Sequence, residues 1–289
     1  MGIRTTPACE AFGCFVEGID LAVASDEDVA RCRNLLFEHG ALFIRGQTLE
    51  PQDQIAFAER VGEIVVNRFF TPVTGFPKVA QLITEPDQDW VIGEKWHTDH
   101  SYDAAPALGS ILYAVEVPPT GGDTCFAGMQ AAYDALAPEM KNRIAHLEAR
   151  HESAHVFAPS EQIRMAEATE RGDTAYMERA ASYPSAVHPV VLRHPETGRK
   201  GLYVNPEFTT EILGLSKQDS DDLLAELFDH ILQPEFVYRY SWEPGSLAIW
   251  DNRSTWHRAM NDYQGHRRHM RRITLEGVEL AGRDTAAAA

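Results

Sequence analysis

The chain has 289 residues, of which 44% are hydrophobic and 24% charged. That balance suits a soluble globular protein with a sizeable core and excludes disordered and fibrous classes. Lys+Arg 26 against Asp+Glu 43 leaves a formal net charge of −17, a surface that repels phosphate backbones and anionic lipid, so neither nucleic acid nor a membrane is expected as a partner. No apolar run approaches the ~18 residues that a membrane helix requires. The four cysteines, Cys9, Cys14, Cys32 and Cys125, form no C-x-x-C pair, and a reducing cytoplasmic location is expected.

In chain order, Ser25 to His39 predicts a helix, with Ser25 as cap, Val29, Cys32, Leu35 and Leu36 on one face and Gly40 as stop. A strand over Ala41 to Arg45 follows, then a helix opened by Pro51 and ended by Gly62. Val79 to Ile83 and Ser110 to Val117 have the β-branched character of strands, and Pro138 to Arg150 reads as a helix. Short strands are expected over Val187–Leu192, Gly201–Val204, Phe236–Trp242, Ser246–Trp250 and Arg271–Leu275, separated by turns such as Glu196-Thr197-Gly198 and Glu243-Pro244-Gly245. Between them, Ser216 to Leu232 predicts a helix with Ser216 and Asp219 spaced as a capping box. Many short strands with outlying helices imply a β-rich α+β sandwich or barrel, and no repeat or linker divides it, so residues 1–289 are expected to form one domain.

Chemistry enters with Trp96-His97-Thr98-Asp99. If this segment is extended, Lys95, His97 and Asp99 share one face. An imidazole and a carboxylate two residues apart can converge on one ion, and a second, distant histidine would complete a two-His-one-carboxylate facial triad with three positions left open, the arrangement that suits non-haem Fe(II). Two fixed positions recur by chance, so the pair needs support from elsewhere. That support is Trp250-Asp251-Asn252-Arg253, His257, Ala259, Asp262-Tyr263, Arg268 and Arg272 near the C-terminus, together with Gly121-Gly122-Asp123-Thr124.

These residues resemble the taurine and 2,4-dichlorophenoxyacetate dioxygenase family, whose pattern is W-x-H-x-D early, then W-D-N-R-x-x-x-H-x-A-x-x-D-Y and an arginine eleven residues after that histidine. The likeness runs from roughly residue 10 to 278. The resemblance implies an Fe(II)- and 2-oxoglutarate-dependent dioxygenase with a double-stranded β-helix, or jelly-roll, fold. It makes His97, Asp99 and His257 the iron ligands, and gives the far carboxylate of 2-oxoglutarate to Arg268 and Thr124. It implies O2 as oxidant, succinate and CO2 as products, and hydroxylation of a C–H bond in a small organic acid. Arg272 corresponds to the arginine that faces the substrate's anionic group, and Phe208 to an aromatic of the substrate pocket. Asn67 stands where the taurine enzyme has a histidine and Phe70 where it has a tyrosine, and no asparagine stands near Gly93. These changes predict a less polar acid than taurine: an alkyl sulfonate, a sulfate ester, or an aryloxy- or alkyl-carboxylate. Family members are often dimers or tetramers, so a homo-oligomer is expected. The alternative is a zinc hydrolase using the same triad to activate water, which would have no use for Arg268 or Thr124.

Overall fold

A computed structural model describes residues 2–66, 70–157 and 183–280. Its first half runs β1 (Arg4–Pro7), β2 (Cys14–Glu17), α1 (Asp26–His39), β3 (Ala41–Ile44), α2 (Pro51–Val61), β4 (Ile64–Val65), β5 (Pro72–Val73), β6 (Phe76–Thr84), β7 (Gly109–Glu116), β8 (Thr124–Gly128), α3 (Met129–Ala135) and α4 (Pro138–Ile144). The second half runs β9 (Glu148–Glu152), β10 (Ser185–Pro189), β11 (Val191–Arg193), β12 (Lys200–Leu202), β13 (Thr209–Ile212), α5 (Lys217–Ile231), β14 (Val237–Tyr240), β15 (Leu247–Asp251), β16 (Thr255–Ala259) and β17 (Arg268–Leu275). The architecture is β-rich with few helices.

The helices begin and end where side-chain chemistry dictates. Ser25 Oγ accepts the Asp28 N–H at the start of α1, and Gly40, at φ 79°, ends it in the left-handed conformation that glycine adopts without steric cost. Glu50 and Asp53 cap α2 reciprocally around Pro51, and Ser216 Oγ accepts from Asp219 N at the head of α5. Each cap contributes about 1 kcal/mol.

The large sheet runs β1-β2-β3-β15-β7-β17-β6-β5, with β4 on the side of β17, and a small sheet runs β14-β8-β16. Period-two alternation assigns the faces. Leu42, Ile44, Ile111, Tyr113, Leu247, Ile249 and Ile273 pack outward against α1 and α2. Their neighbours Ala41, Phe43, Leu112, Ala114, Ala248, Trp250 and Met270 turn inward, onto Phe126 and Tyr240 of the small sheet. On the small sheet's other face, Ala127 and Trp256 pack with Leu223, Leu224 and Leu227 of α5. Arg268 and Arg272 flank Met270 at two-residue spacing, so both belong to the face between the sheets.

Two expected elements differ. The helix over Pro138 to Arg150 stops at Ile144, because Ala149 and His151 are buried at strand spacing and Glu148–Glu152 is paired on both sides, by β10 and β13. The strand over Val187 to Leu192 breaks at Val190, whose N–H donates to the Leu147 carbonyl and whose carbonyl accepts from Tyr203 N. Helical propensity in the first case and β-branched continuity in the second yield to tertiary pairing.

His151 on β9 is fully buried beside His188 and Tyr203. Burial, reinforced by His188, pushes its imidazole from 6.5 down to about 3. The unfolded chain therefore takes a proton that the folded chain refuses, and stability falls as pH drops from about 6.5 toward 3. Between pH 7 and pH 5 this one group costs about 2 kcal/mol. Urea unfolding at the two pH values should show that extra loss in the wild type and not in His151→Gln; equal losses would mean that His151 is protonated within the fold.

Candidate metal and 2-oxoglutarate site

His257 lies on β16, opposite Phe126 of β8, and turns inward between the sheets. The turn that feeds β16 is held by its own motif residues. Asp251, fully buried, takes Arg253 through Nε (2.9 Å) and Nη2 (2.7 Å) and also accepts from His194 Nε2 (2.9 Å). Burial opposes the Asp251 charge, but Arg253 and His194 outweigh it and hold the carboxyl at about 2. Asn252 accepts from Trp250 Nε1 (3.0 Å), which fixes an indole whose ring centre is 4.5 Å from that of His257.

His97 reaches the same place through a reciprocal bridge: its N–H donates to the His257 carbonyl (3.1 Å) and its carbonyl accepts from His257 N (3.0 Å). Two histidines 160 positions apart thus become neighbours across one antiparallel pair. Beyond His97 the chain turns instead of continuing as a strand, and His100 adopts φ 57°. The expected alternation of Lys95, His97 and Asp99 on one strand face therefore does not apply. Lys95 is exposed and lies 3.8 Å from Glu207, whereas the turn itself brings Asp99 back under the two imidazoles.

The ligand atoms of His97, Asp99 and His257 all lie within 4.8 Å of one another. Each histidine presents Nε2 at 3.6 Å from an Asp99 oxygen. His97 Nδ1 donates to the Lys95 carbonyl (2.8 Å), which leaves the Nε2 lone pair free for a metal. Burial and the neighbouring His97 push the His257 imidazole well below its ordinary range. Burial works against the Asp99 charge, but the Arg272 guanidinium outweighs it and keeps the carboxyl well below the usual carboxylate range. A neutral His257 imidazole and an ionised Asp99 carboxylate are protonation states that a divalent cation takes, and this nitrogen and oxygen donor set with no thiolate fits Fe(II).

Arg272 Nη2 lies 2.5 Å from Asp99 Oδ2 and 2.8 Å from Ser110 Oγ, while Ser110 donates to the same carboxylate oxygen (3.1 Å). Among the described residues Arg272 Nε has no hydrogen-bond partner, and the guanidinium lies 5.8 Å from the Trp250 ring centre and 5.9 Å from that of Phe70. Arg268, 6% exposed, donates Nε to the Gly122 carbonyl (3.1 Å) and pairs with no carboxylate among the described residues. A buried guanidinium without an acid is costly unless an anion is meant to join it. Thr124 is buried on β8, and its Oγ1 accepts from Trp242 Nε1 (3.0 Å), so its own O–H remains free to donate. Phe208 is buried with its ring 6.2 Å from His97 and 4.9 Å from Tyr102. Asn67 lies outside the described residues.

Sequence reasoning missed Ser110 and Trp242, a serine and a tryptophan within or beside strands that carry no motif of their own. It also missed the work of Asp262, although the Asp262-Tyr263 pair was part of the pattern.

The model of the taurine catabolism dioxygenase TauD, TfdA family matches residues 4–274. The chain is 34% identical over 294 residues, covering 95% of it and 98% of the relative, to an alpha-ketoglutarate-dependent 2,4-dichlorophenoxyacetate dioxygenase of Cupriavidus pinatubonensis. It is also 34% identical over 285 residues (96% and 91%) to an alpha-ketoglutarate-dependent sulfate ester dioxygenase of Pseudomonas putida. A crystal structure of a taurine dioxygenase from Burkholderia xenovorans superimposes with a TM-score of 0.79 at 30% identity, covering 98% of this chain and 92% of that one. With the family pattern, the fold and near-complete coverage in agreement, the chain belongs to the TauD/TfdA family of dioxygenases.

Proposed function

We propose that the chain hydroxylates a C–H bond of a small organic acid with an apolar body, with iron on His97, Asp99 and His257 and 2-oxoglutarate on Arg268 and Thr124. Its family makes it an Fe(II)- and 2-oxoglutarate-dependent dioxygenase, consuming O2 and releasing succinate and CO2. The observation that carries the residue assignment is Arg268, a buried guanidinium with no carboxylate partner among the described residues, on the inward face that it shares with Arg272. A zinc hydrolase finds no support, since the named relatives are dioxygenases and that chemistry leaves Arg268 idle.

When bound, Fe(II) with 2-oxoglutarate supplies the reduction of O2 that oxidises the substrate. The chain's own residues do the rest. Arg268 offers a planar two-donor fork and Thr124 a third donor, which orient the dicarboxylate. Trp250, Phe126 and Phe208 exclude water around the imidazoles. Arg272 holds Asp99 in place and, through an Nε without a partner among the described residues, receives the substrate's anionic group beside Phe70.

The relatives act on aryloxy acids and on sulfate esters, as their names state, and Phe70 and Phe208 favour a similarly apolar substrate here. Succinate release with a panel of aryloxyacetates, alkyl sulfates, alkyl sulfonates and taurine tests this. The expectation is a kcat/KM at least about tenfold higher for an apolar acid than for taurine, the scale of discrimination that a few methylenes bring; a preference for taurine would overturn it. We further propose that residues 1–289 form one domain, that the two sheets are the halves of a double-stranded β-helix, and that the chain works in the cytoplasm as a homo-oligomer. The inward cluster shared by both sheets supports the fold.

A further inference from the structure

The Gly121-Gly122 turn joins two parts of the molecule that motif reading keeps apart. Gly122 N–H donates to Asp262 Oδ1 (2.8 Å), and the carbonyl of the same residue accepts from Arg268 Nε (3.1 Å). One residue's amide and carbonyl thus link Asp262 on one side to the buried Arg268 on the other. Both glycines have left-handed backbones, φ 75° and 67°, and neither has room for a side chain. A Cβ at Gly121 would stand 2.7 Å from Asp262 Oδ1, and one at Gly122 2.9 Å from Pro118 Cγ and 3.3 Å from Arg268 Cδ. The turn is therefore moulded on Asp262 and Arg268 together.

Asp262 is itself held. Arg239 donates Nη2 to Asp262 Oδ2 and Nε to Asp123 Oδ2, both at 2.6 Å, so one guanidinium clamps the aspartate after the turn and the aspartate that supports it. Met260 N–H also donates to the Asp123 carbonyl (2.9 Å), closing the ring of contacts back onto the segment after β16. Burial raises the Asp262 carboxyl, but the Gly122 N–H and Arg239 more than offset it and keep it ionised.

We propose that Asp262, braced by Arg239, is a positioning residue for 2-oxoglutarate: acting through the Gly122 peptide, it sets where Arg268 presents its guanidinium and so how tightly the far carboxylate is held. This rests on the reading that Arg268 binds that carboxylate. Neither Asp262 nor Arg239 touches the co-substrate; both act at one remove.

The test is anaerobic titration of the Fe(II) protein, followed by the visible charge-transfer band, with 2-oxoglutarate and with 2-oxobutyrate, which chelates alike but has no far carboxylate. Asp262→Ala is expected to weaken 2-oxoglutarate about tenfold, the effect of losing one hydrogen bond to a charged group, and to leave 2-oxobutyrate unchanged. Asp262→Asn, which keeps an acceptor for Gly122 N–H, should restore most of the loss. Equal weakening of both acids would reduce Asp262 to a general structural role, and unchanged 2-oxoglutarate affinity would remove it altogether; either overturns the proposal. If Asp262→Ala does not fold, Arg239→Gln carries the test, with the same selective loss expected and partial recovery in Arg239→Lys. A wild type that gives no 2-oxoglutarate response removes the functional reading and this proposal with it, whereas a normal wild type with indifferent variants removes this proposal alone.

Discussion

Asp99→Ala is expected to lose iron and turnover together. Asp99 is the anionic member of the triad, and its carboxyl is held ionised in a buried setting against the cost of burial. Removing it leaves two imidazoles and no anionic ligand, and iron affinity should fall by more than the ~10–100-fold that loss of an outer partner brings. The variant also strands Arg272, only 7% exposed, whose shortest contact is the lost carboxylate. Breaking a buried pair in this way costs about 3–5 kcal/mol, reduced here because Ser110 Oγ still accepts from Arg272 at 2.8 Å. Iron content per chain and urea unfolding read the two effects separately. Wild-type iron affinity in Asp99→Ala would remove Asp99 from the metal site.

Arg268→Ala should leave iron binding intact and weaken 2-oxoglutarate about a hundredfold. A two-donor bond from guanidinium to carboxylate in a buried site contributes about 3 kcal/mol, and about 1.4 kcal/mol is tenfold. Arg268→Lys should recover only part, because a point charge does not replace a planar fork. Thr124→Val should weaken 2-oxoglutarate less, since it removes a single donor, while the loss of the acceptor for Trp242 Nε1 costs stability instead. Calorimetric titration of the Fe(II) protein under nitrogen measures all three. Unchanged affinity in Arg268→Ala would mean that the far carboxylate is held elsewhere.

Much of the fold was legible wherever local chemistry decides it. The helices at Asp26–His39, Pro51–Val61 and Lys217–Ile231 carry their caps in the sequence, so their ends fall within a residue or two of expectation. Strands β8, β13 and β16 were not legible as strands, because each is a few residues long and its state is fixed by partners from remote positions, as with Thr255–Ala259 against Thr124–Gly128. Pro138 to Arg150 misled for the same reason: its helical composition is interrupted by pairing on both sides of β9.

The site divides along a similar line. Residue types and spacing pointed to the His97 and Asp99 pair, the family resemblance supplied His257 as the third ligand, and the structure brings the ligand atoms of all three together. The route differs from the strand alternation expected of Lys95, His97 and Asp99, since a turn at His100 and a single bridge to His257 do the work. Arg272 was expected to face the substrate's anionic group, whereas the contact that the structure shows is an ion pair with Asp99, which sequence reading did not anticipate. The Arg272 to Ser110, Trp242 to Thr124 and Gly122 to Asp262 links lay beyond sequence reading, because each is a hydrogen bond between positions far apart in the chain.

This site is expected to bind Fe(II) and 2-oxoglutarate as a pair, and anaerobic titration of the metal-free protein reads both binding events at once. Adding Fe(II) and then 2-oxoglutarate should produce a weak visible charge-transfer band that saturates at one equivalent of each and is greatly weakened in His257→Ala. A folded, iron-loaded protein that gives no band, or a His257→Ala variant that gives the wild-type band, would contradict it.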